Sequence, residues 1–173
     1  DEVFYLPLSR ELSGTCRNAI QMAQQEPFLD KVIVVDSTFA CYPIVKMLEM
    51  ARDMYAKGYE GKEIKRKIEE EGELFAILIP ENLNALKNGG RISPAAAALA
   101  GLLKIHPLLK VENGAIDVQD KVRTLSKAYK AGIEACVKDV NPDDYLWMII
   151  DADNRNASDE LKGMLEEACH QSV

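Results

Sequence analysis

Apolar positions along the chain switch between short β-branched runs and three- or four-residue spacings, a pattern that predicts strands interleaved with helices. Val3-Phe4-Tyr5-Leu6-Pro7-Leu8 is a run of strand formers, and after Gly14 the spacing turns helical at Cys16, Ala19, Ile20 and Ala23. Lys31-Val32-Ile33-Val34-Val35 is a continuous run of the kind carried by strands buried on both faces, with Asp36-Ser37-Thr38 as a polar loop behind it. A parallel α/β sheet is implied. Ile44, Val45, Leu48, Ala51, Met54 and Tyr55 mark a further helix with one face inward, and Gly58 suits its C-terminal cap. Residues 61–72 are heavily charged, with Ile64 and Ile68 one turn apart and Glu63 four residues before Lys67, as in a solvated amphipathic helix.

Residues 74–79 form a second apolar run, stopped by Pro80, so a fresh α/β unit begins there and the chain divides into domains at 1–72 and 73–173. A short helix over 81–88 ends at Gly89-Gly90. Ser93-Pro94 then opens another along the alanines of 95–100, serine as N-cap and proline in the first helical position. Residues 108–112 and 115–118 flank Asn113-Gly114, a two-residue hairpin signal because both turn positions require positive φ. A long helix carries Leu125, Ala128, Tyr129, Gly132, Ile133 and Cys136 along one side. A strand over 145–150 and a last helix through Leu161, Met164, Leu165 and Ala168 complete the pattern.

Composition narrows the function classes. The chain has 173 residues, 47% hydrophobic and 28% charged, the balance of an ordinary globular protein. A formal net charge of -7 argues against nucleic-acid binding, which demands a concentrated surplus of Lys and Arg. No run approaches the roughly 18 apolar residues of a membrane span. Residues 1–10 lack the basic start and apolar stretch of a signal peptide, and the reading is cytoplasmic. Cys16, Cys41, Cys136 and Cys169 lie far apart without metal-ligand spacing and are expected as buried thiols. The Asn156-Ala157-Ser158 sequon matters only in a secreted protein.

Two segments can carry chemistry. Ser9-Arg10-Glu11-Leu12-Ser13-Gly14-Thr15 lies between a strand end and a helix start, where parallel α/β sheets place their ligand sites. The amides of the first helical turn, the positive dipole end and the hydroxyls of Ser13 and Thr15 suit an anion such as a carboxylate, and Gly14 would let it approach the main chain. Ser13 acting only as an N-cap explains the same residues. In Asn88-Gly89-Gly90-Arg91-Ile92-Ser93, paired glycines bring Arg91 into a turn, either to present its fork to an anion or as a solvated charge beside a helix C-cap. No catalytic set emerges: His106 and His170 have no nucleophile near them in sequence. Asp151-Ala152-Asp153 reads as caps and loop polar groups rather than a metal site, and no phosphate-binding glycine motif occurs, so neither metal nor cofactor is expected.

At these segments the chain resembles the DegV family of bacterial fatty-acid-binding proteins. Pro7-Leu8-Ser9-Arg10-Glu11-Leu12-Ser13-Gly14-Thr15 is similar to the family's P-(I/L)-S-S-x-L-S-G-T signature, Val34-Val35-Asp36-Ser37 to its V-x-D-S, and Leu86-Lys87-Asn88-Gly89-Gly90-Arg91-Ile92-Ser93 to its L-K-x-G-G-R-I-S. Further agreement comes from residues 103–110, Lys121-Val122-Arg123 and Ala152-Asp153-Asn154. The resemblance implies a two-domain α/β protein that binds a long-chain fatty acid between its domains and is not itself an enzyme. Ser13, Gly14 and Thr15 would hold the carboxylate, and Ser37 would shape the head-group end. The bound acid would be presented to a separate fatty-acid kinase, a partnership in which Arg91 would take part.

Family members carry an additional N-terminal βαβα stretch and a C-terminal strand and loop bearing a histidine. Against that pattern, 1–72 reads as a partial N-terminal domain and 73–173 as a truncated C-terminal one. His106 stands at the family's usual lysine and Asp151 at the histidine of H-A-D-N, which keeps both histidines out of the expected site. The alternatives are a phosphotransferase subunit related to dihydroxyacetone kinases, which needs a histidine in a strand-end loop, and a partner-binding fragment without ligand.

Overall fold

The first two strands meet in parallel. β1 (Val3–Tyr5) pairs with β2 (Val32–Val34), Val3 opposite Val32, Phe4 opposite Ile33 and Tyr5 opposite Val34, in a computed structural model that describes residues 2–72, 74–99 and 104–173. The Val35 amide extends the ladder by donating to the Tyr5 carbonyl at 3.0 Å. Ile33, Val34 and Val35 are all buried, as their continuous β-branched run predicts. Their core continues into α2 (Tyr42–Ala56) through Met47 and Ala51, and into α3 (Gly61–Arg66) through Ile64, with Leu6 closing it. α1 (Gly14–Ala23) packs beside β2 and sends fully buried Cys16 inward.

The charged segment folds as expected on its apolar side but pairs its charges differently. α3 runs into a π-helical turn at Lys67–Glu71, and Ile68 joins Ile64 in the core. Described ion pairs here join Lys65 to Glu69 at 2.8 Å, Arg66 to Glu71 at 2.8 Å and Lys67 to Glu71 at 3.3 Å. The Lys67 ammonium also lies 5.7 Å from the centre of the Tyr59 ring.

A three-stranded sheet follows in the order β3 (Ala76–Leu78), β4 (His106–Glu112), β5 (Ala115–Val122). Asn113 at φ 51° and Gly114 at φ 83° form the β4–β5 turn with the two positive φ values that Asn-Gly predicts. α4 (Asn84–Gly89) ends at Gly90, left-handed at φ 67°, and α5 (Pro94–Ala98) begins where Ser93 accepts from the Ala96 amide. The alanine run and the stretch from 103 extend into 100–103, outside the described residues. α6 (Leu125–Val137) buries Ala128, Tyr129 and Gly132 and packs on β3 and on α7 (Arg155–Cys169), which Asn154 caps.

Two expectations are corrected. Residues 145–150 have strand composition but join no described ladder. The Trp147 indole N–H donates to the Pro142 carbonyl at 3.0 Å, folding the segment back on the 3₁₀ turn Pro142–Asp144, and Leu146 stays 67% exposed. A strand is a property of its partner as much as of its own side chains. The second correction concerns two of the cysteines expected to be buried: Cys136 is only half-buried, and Cys41 is exposed because it stands outside α2 as its N-cap, at φ 63°.

The chain folds as two compact units, Asp1–Leu74 with Val111–Ala115, and Phe75–Lys110 with Ile116–Val173. The hairpin tip therefore belongs with the first unit. Among the described residues no helix is long and apolar enough to cross a membrane.

Candidate ligand-binding turn

Both polar loops of the first unit leave the carboxyl ends of the parallel strands, where the chain must turn and backbone groups lose their ladder partners. The loops are tied directly: the Ser9 amide donates to the Phe39 carbonyl at 2.8 Å. The Ser9 carbonyl in turn accepts from the Leu12 amide at 3.1 Å and the Ser13 amide at 3.0 Å, which bends residues 9–13 into the entry of α1.

Ser13 is the N-cap of α1, at φ -149° and ψ 140°, and its hydroxyl accepts from the Thr15 amide at 3.2 Å and donates to the Thr15 hydroxyl at 3.0 Å. Helix geometry leaves the Gly14 and Cys16 amides without an acceptor inside the helix, at its positive end. Gly14 and Thr15 are exposed, and a Cβ built on Gly14 would meet no atom within 4 Å. The turn is open to an approaching group. Arg17 adds positive charge beside it, whereas the charge of Arg10 is paired with Asp36. Arg17, four residues after Ser13 and so on the same helical face, donates from Nε and Nη2 to the Arg10 carbonyl at 3.0 and 2.8 Å. That acceptor is neutral, so the guanidinium keeps its full charge. Nothing in the motif singles out Arg17, although its i+4 spacing from Ser13 is visible in the sequence.

Asp36 anchors this corner. Its carboxylate, 3% exposed, accepts from the Arg10 amide at 3.2 Å, Arg10 Nε at 2.5 Å and the Thr38 amide at 3.1 Å, while its own amide donates to Glu69 at 2.9 Å. The hydrogen bond and charge of Asp36 hold the Arg10 guanidinium above its ordinary pKa. Ser37 is fully buried, its hydroxyl donating to the Phe39 carbonyl at 3.0 Å and accepting from the Phe39 amide at 3.2 Å. It braces the loop from within. An open depression of about 650 Å³ at the C-terminal end of α2, lined by Tyr55, Tyr59 and Lys62, shares no residue with the turn.

Arg91 lies in the second unit. Its amide donates to the Leu86 carbonyl at 3.1 Å beside left-handed Gly90, and its guanidinium donates back to the Gly89 carbonyl, as in a helix C-cap with an exposed charge. Ser93 donates to Asp117 at 2.5 Å, which holds that carboxyl below its usual range. His106 and His170 also lie in the second unit, His170 as the left-handed cap of α7. Among the described residues no three His, Cys, Asp or Glu side chains form a group that could hold a metal ion.

The thiols give a direct check on these environments. Burial, then the Asp36 carboxylate, pushes the Cys16 thiol up, and burial pushes Cys136 up to about 11 against an opposing hydrogen bond with the Ile77 backbone. At pH 8 Cys41 should therefore react with a thiol reagent well ahead of the other three, and Cys41→Ser should remove that fast phase. Because the folded Cys136 value lies above the ordinary 9.0, its contribution to stability is complete below pH 9 and lost as pH rises toward 11. Denaturation midpoints across that window should fall less in Cys136→Ala.

The first unit is an α/β frame whose open helix entry lies at the carboxyl ends of a parallel strand pair, where such folds place their ligand sites. The chain belongs to the DegV family, whose profile, described as uncharacterised protein, DegV family, matches residues 1–172. A fatty acid-binding protein from Thermotoga maritima is 34% identical over 97% of this chain and 59% of its own length. The crystal structure of a DegV lipid binding protein from the same organism is 31% identical, with a TM-score of 0.75 over 96% of this chain and 58% of that one. DegV, a fatty acid binding protein from Bacillus subtilis, is 26% identical, with a TM-score of 0.76 over 96% and 60%. The chain thus spans 58–60% of the length of these relatives.

Proposed function

We infer that this chain binds a long-chain fatty acid, with the carboxylate at the Leu12–Thr15 turn, and belongs to a carrier rather than an enzyme. The observation that carries this reading is the open first turn of α1, where no other part of the protein comes within 4 Å of the place a Cβ on exposed Gly14 would take, directly after the Ser13 N-cap. The names of the relatives supply the ligand class. Ser13, Gly14 and Thr15 hold the carboxylate, Arg17 adds attraction, and Ser37 keeps the neighbouring loop in shape. The tail supplies most of the affinity, about 0.8 kcal/mol for each methylene removed from water, and the head group fixes direction. The same reading makes a separate fatty-acid kinase the recipient of the bound acid and exposed Arg91 a contact for it.

Lipid extraction of the purified protein followed by mass spectrometry is expected to release long-chain fatty acids in near-stoichiometric amount. Absence of any acyl species, before and after incubation with long-chain acids, would overturn the reading.

A further inference from the structure

Ser9 is fully buried, yet each of its polar groups is engaged. Its amide holds the Phe39 loop, its carbonyl receives the Leu12 and Ser13 amides, and its hydroxyl accepts from the Glu11 amide at 3.1 Å. The same hydroxyl donates to the Gly114 carbonyl at 2.7 Å, 105 residues away along the chain. At Gly114 two constraints coincide: φ is 83°, and a Cβ would press on Ser9 Oγ closer than real Cβ atoms come, and lie 3.5 Å from Glu11 Cγ. The hairpin tip is thereby seated against the residue from which the turn toward Ser13 departs.

We propose that Ser9 is a positioning residue for the carboxylate, its hydroxyl clamped by the Gly114 carbonyl so that residues 10–13 deliver Ser13 and the first amides of α1 in one orientation. The inference rests on the fatty-acid reading above. Ser9 does not touch the ligand; it acts through the Leu12 and Ser13 amides. Gly114 is its counterpart because only a residue without Cβ brings a carbonyl this close at positive φ. A role in orienting the head group differs from one in holding the fold together, because only the first distinguishes an acid from an uncharged molecule with the same tail.

The experiment compares hexadecanoic acid with hexadecan-1-ol by displacement of a fluorescent acyl probe from the intact protein. Wild type should bind the acid more tightly than the alcohol. In Ser9→Ala the acid-to-alcohol affinity ratio should fall about tenfold, the scale of one lost hydrogen bond, with alcohol affinity unchanged. Gly114→Ala should lower the same ratio, and Ser9→Ala combined with it should cost less than the two single effects together, since the atom the new methyl strikes is gone. Should Ser9→Ala fail to fold, Ser9→Cys gives the same readout. A variant with a lower melting temperature but an unaltered ratio makes Ser9 a structural anchor only, sinking this inference while leaving the fatty-acid reading in place. A wild-type protein that binds acid and alcohol equally removes the carboxylate reading itself.

Discussion

Ser13→Asp should leave α1 as stable as before and weaken fatty-acid binding by about a hundredfold or more. Aspartate is as good an N-cap as serine, and its charge sits favourably at the positive end of the helix, so the Thr15 amide keeps an acceptor. The carboxylate of the ligand would meet a like charge at contact distance. Two such charges about 4 Å apart near a protein surface repel by about 4 kcal/mol, more than the roughly 2.7 kcal/mol that a hundredfold loss requires. Ser13→Ala removes the cap as well as the hydroxyl and so mixes two effects, whereas Ser13→Asp separates them. Isothermal titration with a long-chain acid and a thermal melt on the same sample decide the matter. Undiminished affinity would place the head group elsewhere.

Asp36→Ala should destabilise the protein by about 3 kcal/mol. The carboxylate accepts three donors, from the Arg10 amide, Arg10 Nε and the Thr38 amide, and alanine leaves the two backbone groups without it in a part-buried corner. Arg10 is 53% exposed and can turn to water, which keeps the loss at the lower end of that for breaking a buried pair. Asp36→Asn retains volume and one acceptor and should lose about half as much. Urea midpoints at constant slope measure both, and an Asp36→Ala midpoint within 1 kcal/mol of wild type, on the order of a single ordinary hydrogen bond, would show that the network carries little weight.

The parts of this molecule legible from sequence are those governed by local rules. The buried residues Ile33, Val34 and Val35, the Asn113-Gly114 turn and the Ser13 and Ser93 caps each follow from side-chain volume, backbone freedom or a hydroxyl three or fewer residues from its amide. The strand expected over 145–150 does not form a ladder, because composition cannot disclose whether a neighbouring strand will pair with it. Cys41 escapes burial because helical spacing says nothing of a residue one step outside the helix. Of the candidate site, the Leu12–Thr15 motif stands out in the sequence, while its supports do not. Ser9 and Gly114 lie 105 residues apart, and Asp36 and Arg10 lie 26 apart, separations at which no periodicity or motif reports a contact. Serine in a motif shows a hydroxyl; only the fold shows that the hydroxyl of Ser9 is buried against Gly114 while that of Ser13 caps α1 in an exposed turn.

A crystal structure of the protein with a bound long-chain acid decides where the carboxylate sits. Its oxygens should lie within about 2.7–3.1 Å of the Ser13 hydroxyl or the amides that open α1, with the acyl chain leading away. An acid bound with its head group remote from this turn, or a turn closed by protein side chains, would contradict this placement.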